Sequence, residues 1–349
     1  MLSCDWAQGL RRDRGWARMT INIARRKFVA ALGGAVAWPL AARAQQSARM
    51  RRIGVLVSGL AADDPEWQAR GTAFVQGLQE LGWTDGRNVR IDTRFGLGDA
   101  DRLRKFAAEL VALAPDVILA GGGVAVPALQ QATPTLPIVF ANVSDPVGLG
   151  LVTSLARPGG NTTGFMTVEF GASGKWLELL KQMAPRVTRV AVLRSFAPAG
   201  VGALSAIQAV APSFGVELTP VGVRDADEIE RGITAFARGP NDGLIVTGQL
   251  QRDRRNTIIA LAVRHRLPAI YPYRAFVTEG GLISFGPDQA DPYRKAAGYV
   301  DRILKGEKPA DLPVQAPTRL ETVLNLKTAK ALGLDLPGSV FARVDEVIE

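Results

Sequence analysis

PIVFANVSDPVGLGLVTSLARPGGNTTGF, residues 137–165, is the stretch from which the fold can be read. It opens as an apolar run, Pro137 to Asn142, of the kind buried as a strand. It turns polar at Asn142, Ser144, Asp145 and Pro146, continues as a short apolar segment expected to be helical, and stops at Arg157-Pro158-Gly159-Gly160. Polar residues at the carboxyl end of a strand are where open α/β sheets hold ligands. The Pro-Gly-Gly marks a point where the chain can leave one sheet for another.

Before this stretch, strand-like runs alternate with helical patterns. Arg52 to Val57, Asn88 to Phe95 and Asp116 to Ala120 read as strands, separated by helices over Glu66 to Leu81 and Asp101 to Leu113. Gly121-Gly122-Gly123 opens a third helix. Crossovers of this length require parallel pairing. The rhythm then repeats from Gly174, with RVAVLR (189–194) in the place of RIGVLV (52–57). The expected fold is α/β, two similar doubly wound parallel-sheet lobes. A further strand and helix after a complete second series predict three crossings, near Gly160–Thr163, Ser284–Pro287 and Leu312–Pro317. The lobes then comprise 45–162 with 284–312, and 163–283 with 313–349.

The net charge of +9 is concentrated at the start of the chain: residues 1–44 hold eight Lys/Arg against two Asp, leaving +3 for the remainder. The body therefore has no electrostatic footprint for nucleic acid. Arg25-Arg26-Lys27, the thirteen apolar residues Phe28 to Leu40 and Ala42-Arg43-Ala44 have the order of an export signal cut after Ala44. The Arg pair resembles the twin-arginine type, with Sec export as the alternative and Met19 as a possible start. The single Cys, Cys4, lies in this leader. No Cys follows the cleavage site to carry a lipid, so a soluble periplasmic protein is expected.

Four segments carry a resemblance: residues 137–165, GKWLELLKQMAPRVTRVAVL (174–193), RHRLPAIYPYRAFVTEGGLISFGPD (264–288) and YVDRILKGEKPADLPVQAPTRLETVLNLKTAKALGL (299–334). Together they resemble the substrate-binding proteins of the tryptophan/tyrosine ABC-transporter family, over Arg51 to Glu349. The resemblance implies a type I periplasmic-binding-protein fold, with three crossover strands joining the lobes, and a role in uptake beside an ABC permease.

Catalytic groups are scarce. The one His, His265, sits between Arg264 and Arg266 at a helix end. No metal spacing, nucleophile elbow, P-loop or dinucleotide fingerprint is present, so no cofactor and no enzymatic activity are expected.

Candidate ligand residues cluster at strand ends. Ser58 follows the first strand, and its hydroxyl is a donor for a ligand carboxylate or a helix-entry group. Gly122 and Gly123 offer backbone N–H groups to a carboxylate, or form a plain tight turn. Asn142, Ser144 and Asp145 follow the fourth strand, where Asp145 either meets a ligand ammonium or caps the next helix. In the second series Phe196, Gln249, Tyr271, Tyr273 and Arg274 hold equivalent places, with lobe packing the alternative for the aromatic residues. Glu66 is expected on solvated surface. These groups suit a monomer that closes on a small carboxylate solute, an amino acid and in particular an aromatic one. A sensor domain of the same fold and an enzyme on a doubly wound fold are the alternatives. The sensor reading expects a DNA-binding module before Arg51 or a membrane span after Glu349.

Overall fold

The computed structural model describes residues 49–167, 173–194, 198–248 and 252–349. The export-signal reading of residues 1–44 lies outside them. The first series is β1 (Arg51–Val57), α1 (Pro65–Glu80), β2 (Val89–Phe95), α2 (Ala100–Ala112), β3 (Val117–Gly121), α3 (Ala125–Ala132), β4 (Ile138–Val143) and β5 (Thr162–Met166). Its five strands form a parallel sheet in the order β2-β1-β3-β4-β5. β3 and β4 are buried along their whole length. Their uninterrupted apolar runs are what a parallel sheet covered on both faces requires. Asp64 starts α1 by accepting the Glu66 N–H at 2.8 Å, and Pro65 occupies the first helical position.

The second series is α4 (Gly174–Met183), β6 (Arg189–Arg194), α5 (Pro198–Val210), β7 (Glu217–Gly222), α6 (Ala226–Phe236), β8 (Asp242–Val246), α7 (Arg252–Arg264), β9 (Ala269–Tyr271), α8 (Arg274–Thr278) and β10 (Ile283–Pro287). After it come α9 (Asp291–Leu304), β11 (Leu320–Asn325), α10 (Leu326–Ala331), α11 (Gly338–Phe341) and β12 (Glu346–Ile348). The second sheet runs β12-β11-β10-β9-β8-β6-β7. β10 and β11 pair antiparallel, so this sheet is mixed where an all-parallel one was expected. The reversal arises because the chain returns to it from α9.

α9 belongs to the first sheet. Its Ala296, Ala297 and Val300 are buried with Ile53, Phe74 and Leu78, the side chains from Val upward in size each contributing about 1.5–3 kcal/mol. The chain thus passes between the sheets after Met166, through Asp288–Ala290 and through 313–319. Hydrogen bonds hold these passages side by side. Thr167 Oγ1 accepts from Gln289 Nε2 at 2.9 Å, and the Met166 N–H donates to the Gln315 carbonyl at 2.8 Å.

The segment after Pro146 is a run of turns to Gly150 and not a helix. Gly148 and Gly150 are poor helix formers, and Gly150 adopts φ +68°.

Candidate functional site

The carboxyl ends of β1, β3 and β4 bring Ser58, Gly122, Gly123 and Asn142 into one neighbourhood. The Ser58 N–H donates to the Gly121 carbonyl at 2.9 Å, and the Gly122 N–H donates to the Ala141 carbonyl at 2.9 Å. Gly122 has φ +93°, and a Cβ there would lie 2.3 Å from Ser58 Oγ. Only glycine fits beside that hydroxyl. The Gly122 N–H is therefore engaged in the sheet, a correction to its expected role as a carboxylate donor. Gly123, before α3, has an N–H that meets no backbone acceptor among the described residues.

Asn142 occupies a bulge where the β4–β5 register shifts, with φ +62°, a left-handed conformation that Asn tolerates better than most residues. Its Nδ2 donates to the Gln289 carbonyl at 3.0 Å, tying β4 to the second passage between the sheets. The side chain is 4% exposed, and Oδ1 has no hydrogen-bond partner among the described residues. Ser144 and Asp145 follow, both half-buried. Asp145 Oδ1 accepts the Gly148 N–H at 2.8 Å, closing a turn where a helix cap was the alternative expected.

In the second sheet, Phe196 and Gln249 lie outside the described residues. Tyr271 is 1% exposed and stacks on Phe276 with centroids 4.7 Å apart. Burial pushes its phenol well above the usual tyrosine range. The packing alternative therefore accounts for Tyr271: a three-residue strand covered on both faces buries its aromatic side chain. Tyr273 precedes α8 and packs partly against the same cluster.

Arg274 is engaged by Glu346 of β12, with Nη2–Oε1 at 2.6 Å and a second contact between Nη1 and Oε2. It pins the last strand, where a contact with the ligand carboxylate had been expected. The hydrogen bond from Arg274 holds the Glu346 carboxyl below the usual carboxylate range. A depressed carboxylate contributes stability above its unfolded value and loses it as pH falls through the folded one. Glu346→Gln is expected to cost under about 1 kcal/mol at neutral pH, since both side chains are over 40% exposed. The difference from the parent should begin to shrink as acid melts go below roughly pH 4 and vanish once the pH is below the lowered folded value.

One group escaped the sequence reading. Glu66, expected on solvated surface, has Oε2 at 2.8 Å from Arg70 Nη2 and Oε1 at 2.5 Å from Arg255 Nη2. Arg255 also meets Glu279 at 3.1 Å. The Glu66/Arg70 spacing of four was the only local signal; Arg255 lies too far along the chain to be paired by pattern.

A separate surface groove of about 470 Å3 lies between α1 and β2, lined by Trp67, Gly71, Val75, Ile91 and Thr93. None of the expected ligand residues lines it. Among the described residues no group of His, Cys, Asp and Glu is placed to hold a metal ion, and no helix is long and apolar enough to cross a membrane.

Known proteins share this architecture. A curated relative, the tyrosine-binding protein of Clostridioides difficile (strain R20291), is 26% identical over 295 residues, 82% of each chain. The crystal structure of an ABC domain in complex with L-Trp from Streptococcus pneumoniae is 28% identical, with TM-score 0.77 over 86% of this chain and 100% of that one. A ligand-free, open substrate-binding protein with adhesive properties from Clostridium difficile is 26% identical, with TM-score 0.69 over 86% of this chain and 99% of that one. The two-sheet α/β architecture is that of the type I periplasmic binding proteins. The family model for ABC transporter substrate binding proteins matches residues 55–348, and the chain belongs to that family.

Proposed function

We propose that this chain captures an aromatic amino acid, tyrosine or tryptophan, between its two sheets and delivers it to an ABC permease for uptake. The observation that carries the reading is Asn142. A buried amide oxygen left without a donor costs about 1–3 kcal/mol, and a ligand ammonium or N–H supplies that donor. Ser58 and the Gly123 N–H, at neighbouring strand ends, offer donors for the carboxylate. The bound species of the relatives, tyrosine in one name and L-Trp in the other, support the same class of solute.

Capture needs no covalent chemistry, so the protein is not an enzyme in this reading. It works as a monomer whose lobes divide as the sheets do, with α9 on the first. Residues 1–44 serve as an export signal cleaved after Ala44, by the twin-arginine or the Sec route, and the protein acts in the periplasm.

A thermal-shift panel tests the solute. A ligand at a hundred times its dissociation constant adds about 2.7 kcal/mol of stability. Higher melting temperatures with L-tyrosine or L-tryptophan are expected. Shifts with aliphatic amino acids or sugars alone would discard the aromatic class, and no shift with any solute would contradict capture itself.

A further inference from the structure

Four side chains form a continuous polar chain from one sheet to the other: Arg70, Glu66, Arg255 and Glu279. Arg70 and Glu66 stand on α1, which packs on the first sheet through Phe74 and Leu78. Arg255 stands on α7, which packs on the second sheet through Ile258 and Leu261, and Glu279 ends α8 beside it. Among the described residues, Glu66–Arg255 is the ion pair that joins the two halves.

Burial makes this contact consequential. Arg255 is 7% exposed and Arg70 9%. Burial pulls the Arg255 guanidinium down, but Glu279 and Glu66 outweigh it and hold it above its ordinary value. The guanidinium also lies 5.8 Å from the centroid of the Phe276 ring. Two cations and two anions balance, so the cluster offers no surplus positive charge to a carboxylate solute.

The pairing has a second property. Were the halves to separate, Glu66 would keep Arg70 and Arg255 would keep Glu279. Stranding a buried charge is what makes breaking such pairs costly, and here neither charge is stranded. The contact can therefore break and re-form without endangering either half. We propose that Glu66–Arg255 is a reversible latch between the halves that slows solute release, an inference that rests on the capture reading. An interaction made only after the halves meet acts on dissociation and leaves the encounter rate nearly unchanged.

Stopped-flow release of L-tyrosine or L-tryptophan from the purified protein tests the latch, with Glu66→Gln, Arg255→Met and the double variant. Each single change should raise the release rate at least fivefold, with the association rate changed less than twofold. The double variant should release no faster than the quicker single one, because both remove the same contact. Release rates that stay at the parent value, or single effects that multiply in the double variant, would overturn it. Arg255→Lys keeps the charge on a shorter, unforked group, serves where Arg255→Met fails to fold, and should fall between parent and Glu66→Gln. Should the parent protein bind neither amino acid, the capture reading has failed and the latch is judged without solute. X-ray scattering should then give Glu66→Gln a larger radius of gyration than the parent; equal radii would overturn the latch.

Discussion

Replacing Gly286 with alanine is expected to lower stability by about 3 kcal/mol, the upper end of what overpacking costs. Gly286 lies in β10, and a Cβ there would fall 1.9 Å from the Pro272 carbonyl oxygen and 3.0 Å from its carbon. The obstacle is backbone, so no rotamer change relieves it. Pro272 directly follows β9, which pairs with β10 at Ile270–Ile283 and Tyr271–Ser284. Moving the carbonyl away therefore strains the pairing of two adjacent strands. Gly286 also stands two residues before the second passage between the sheets, so solute affinity should fall with stability. Gly298→Ala provides the contrast: it lies inside α9 with nothing within 4 Å of the added Cβ. Alanine there should stabilise by about 0.4–1 kcal/mol. Denaturant melts of the two variants check both signs, and a Gly286→Ala protein as stable as its parent would contradict the close approach of β9 and β10.

Asn142→Gly is expected to weaken binding of the aromatic amino acid by about 10- to 100-fold, the range that a hydrogen bond to a charged group implies. Glycine adopts φ +62° without strain, so the bulge survives the change. What is lost is Oδ1, together with the Nδ2 bond to the Gln289 carbonyl. That second loss should cost about 1 kcal/mol of stability. Calorimetric titration separates the two effects, because a change confined to melting temperature would leave the dissociation constant near the parent's. An unaltered dissociation constant would remove Asn142 from the site.

Much of this architecture was legible in the chain. The strand Arg189–Arg194 begins and ends where the pattern places it, and the second series opens at Gly174 as expected. The family and the two-sheet fold followed from four sequence blocks and from the paired rhythm of strands and helices. The site was legible by position and less so by role. Asn142 stands at a strand end, as expected, but its left-handed backbone and orphaned oxygen arise from a register shift that no local pattern announces.

Tyr271 and Arg274 read as ligand groups because polar-capable residues clustered at a strand end. Folding placed one in the core and gave the other a partner on β12, a three-residue strand too short to carry a periodic signal. Glu66 read as surface because a charged residue in a first helical turn usually is. Its partner Arg255 comes from the other half of the chain, and only the tertiary fold brings them within 2.5 Å.

The measurement that bears most directly on capture is a crystal structure of the protein grown with L-tyrosine or L-tryptophan. The account predicts the amino acid at the carboxyl ends of β1, β3 and β4, with its ammonium on Asn142 Oδ1 and its carboxylate near Ser58 and the Gly123 N–H. An amino acid lodged elsewhere, such as the groove between α1 and β2, with Asn142 Oδ1 still lacking a donor, would contradict it.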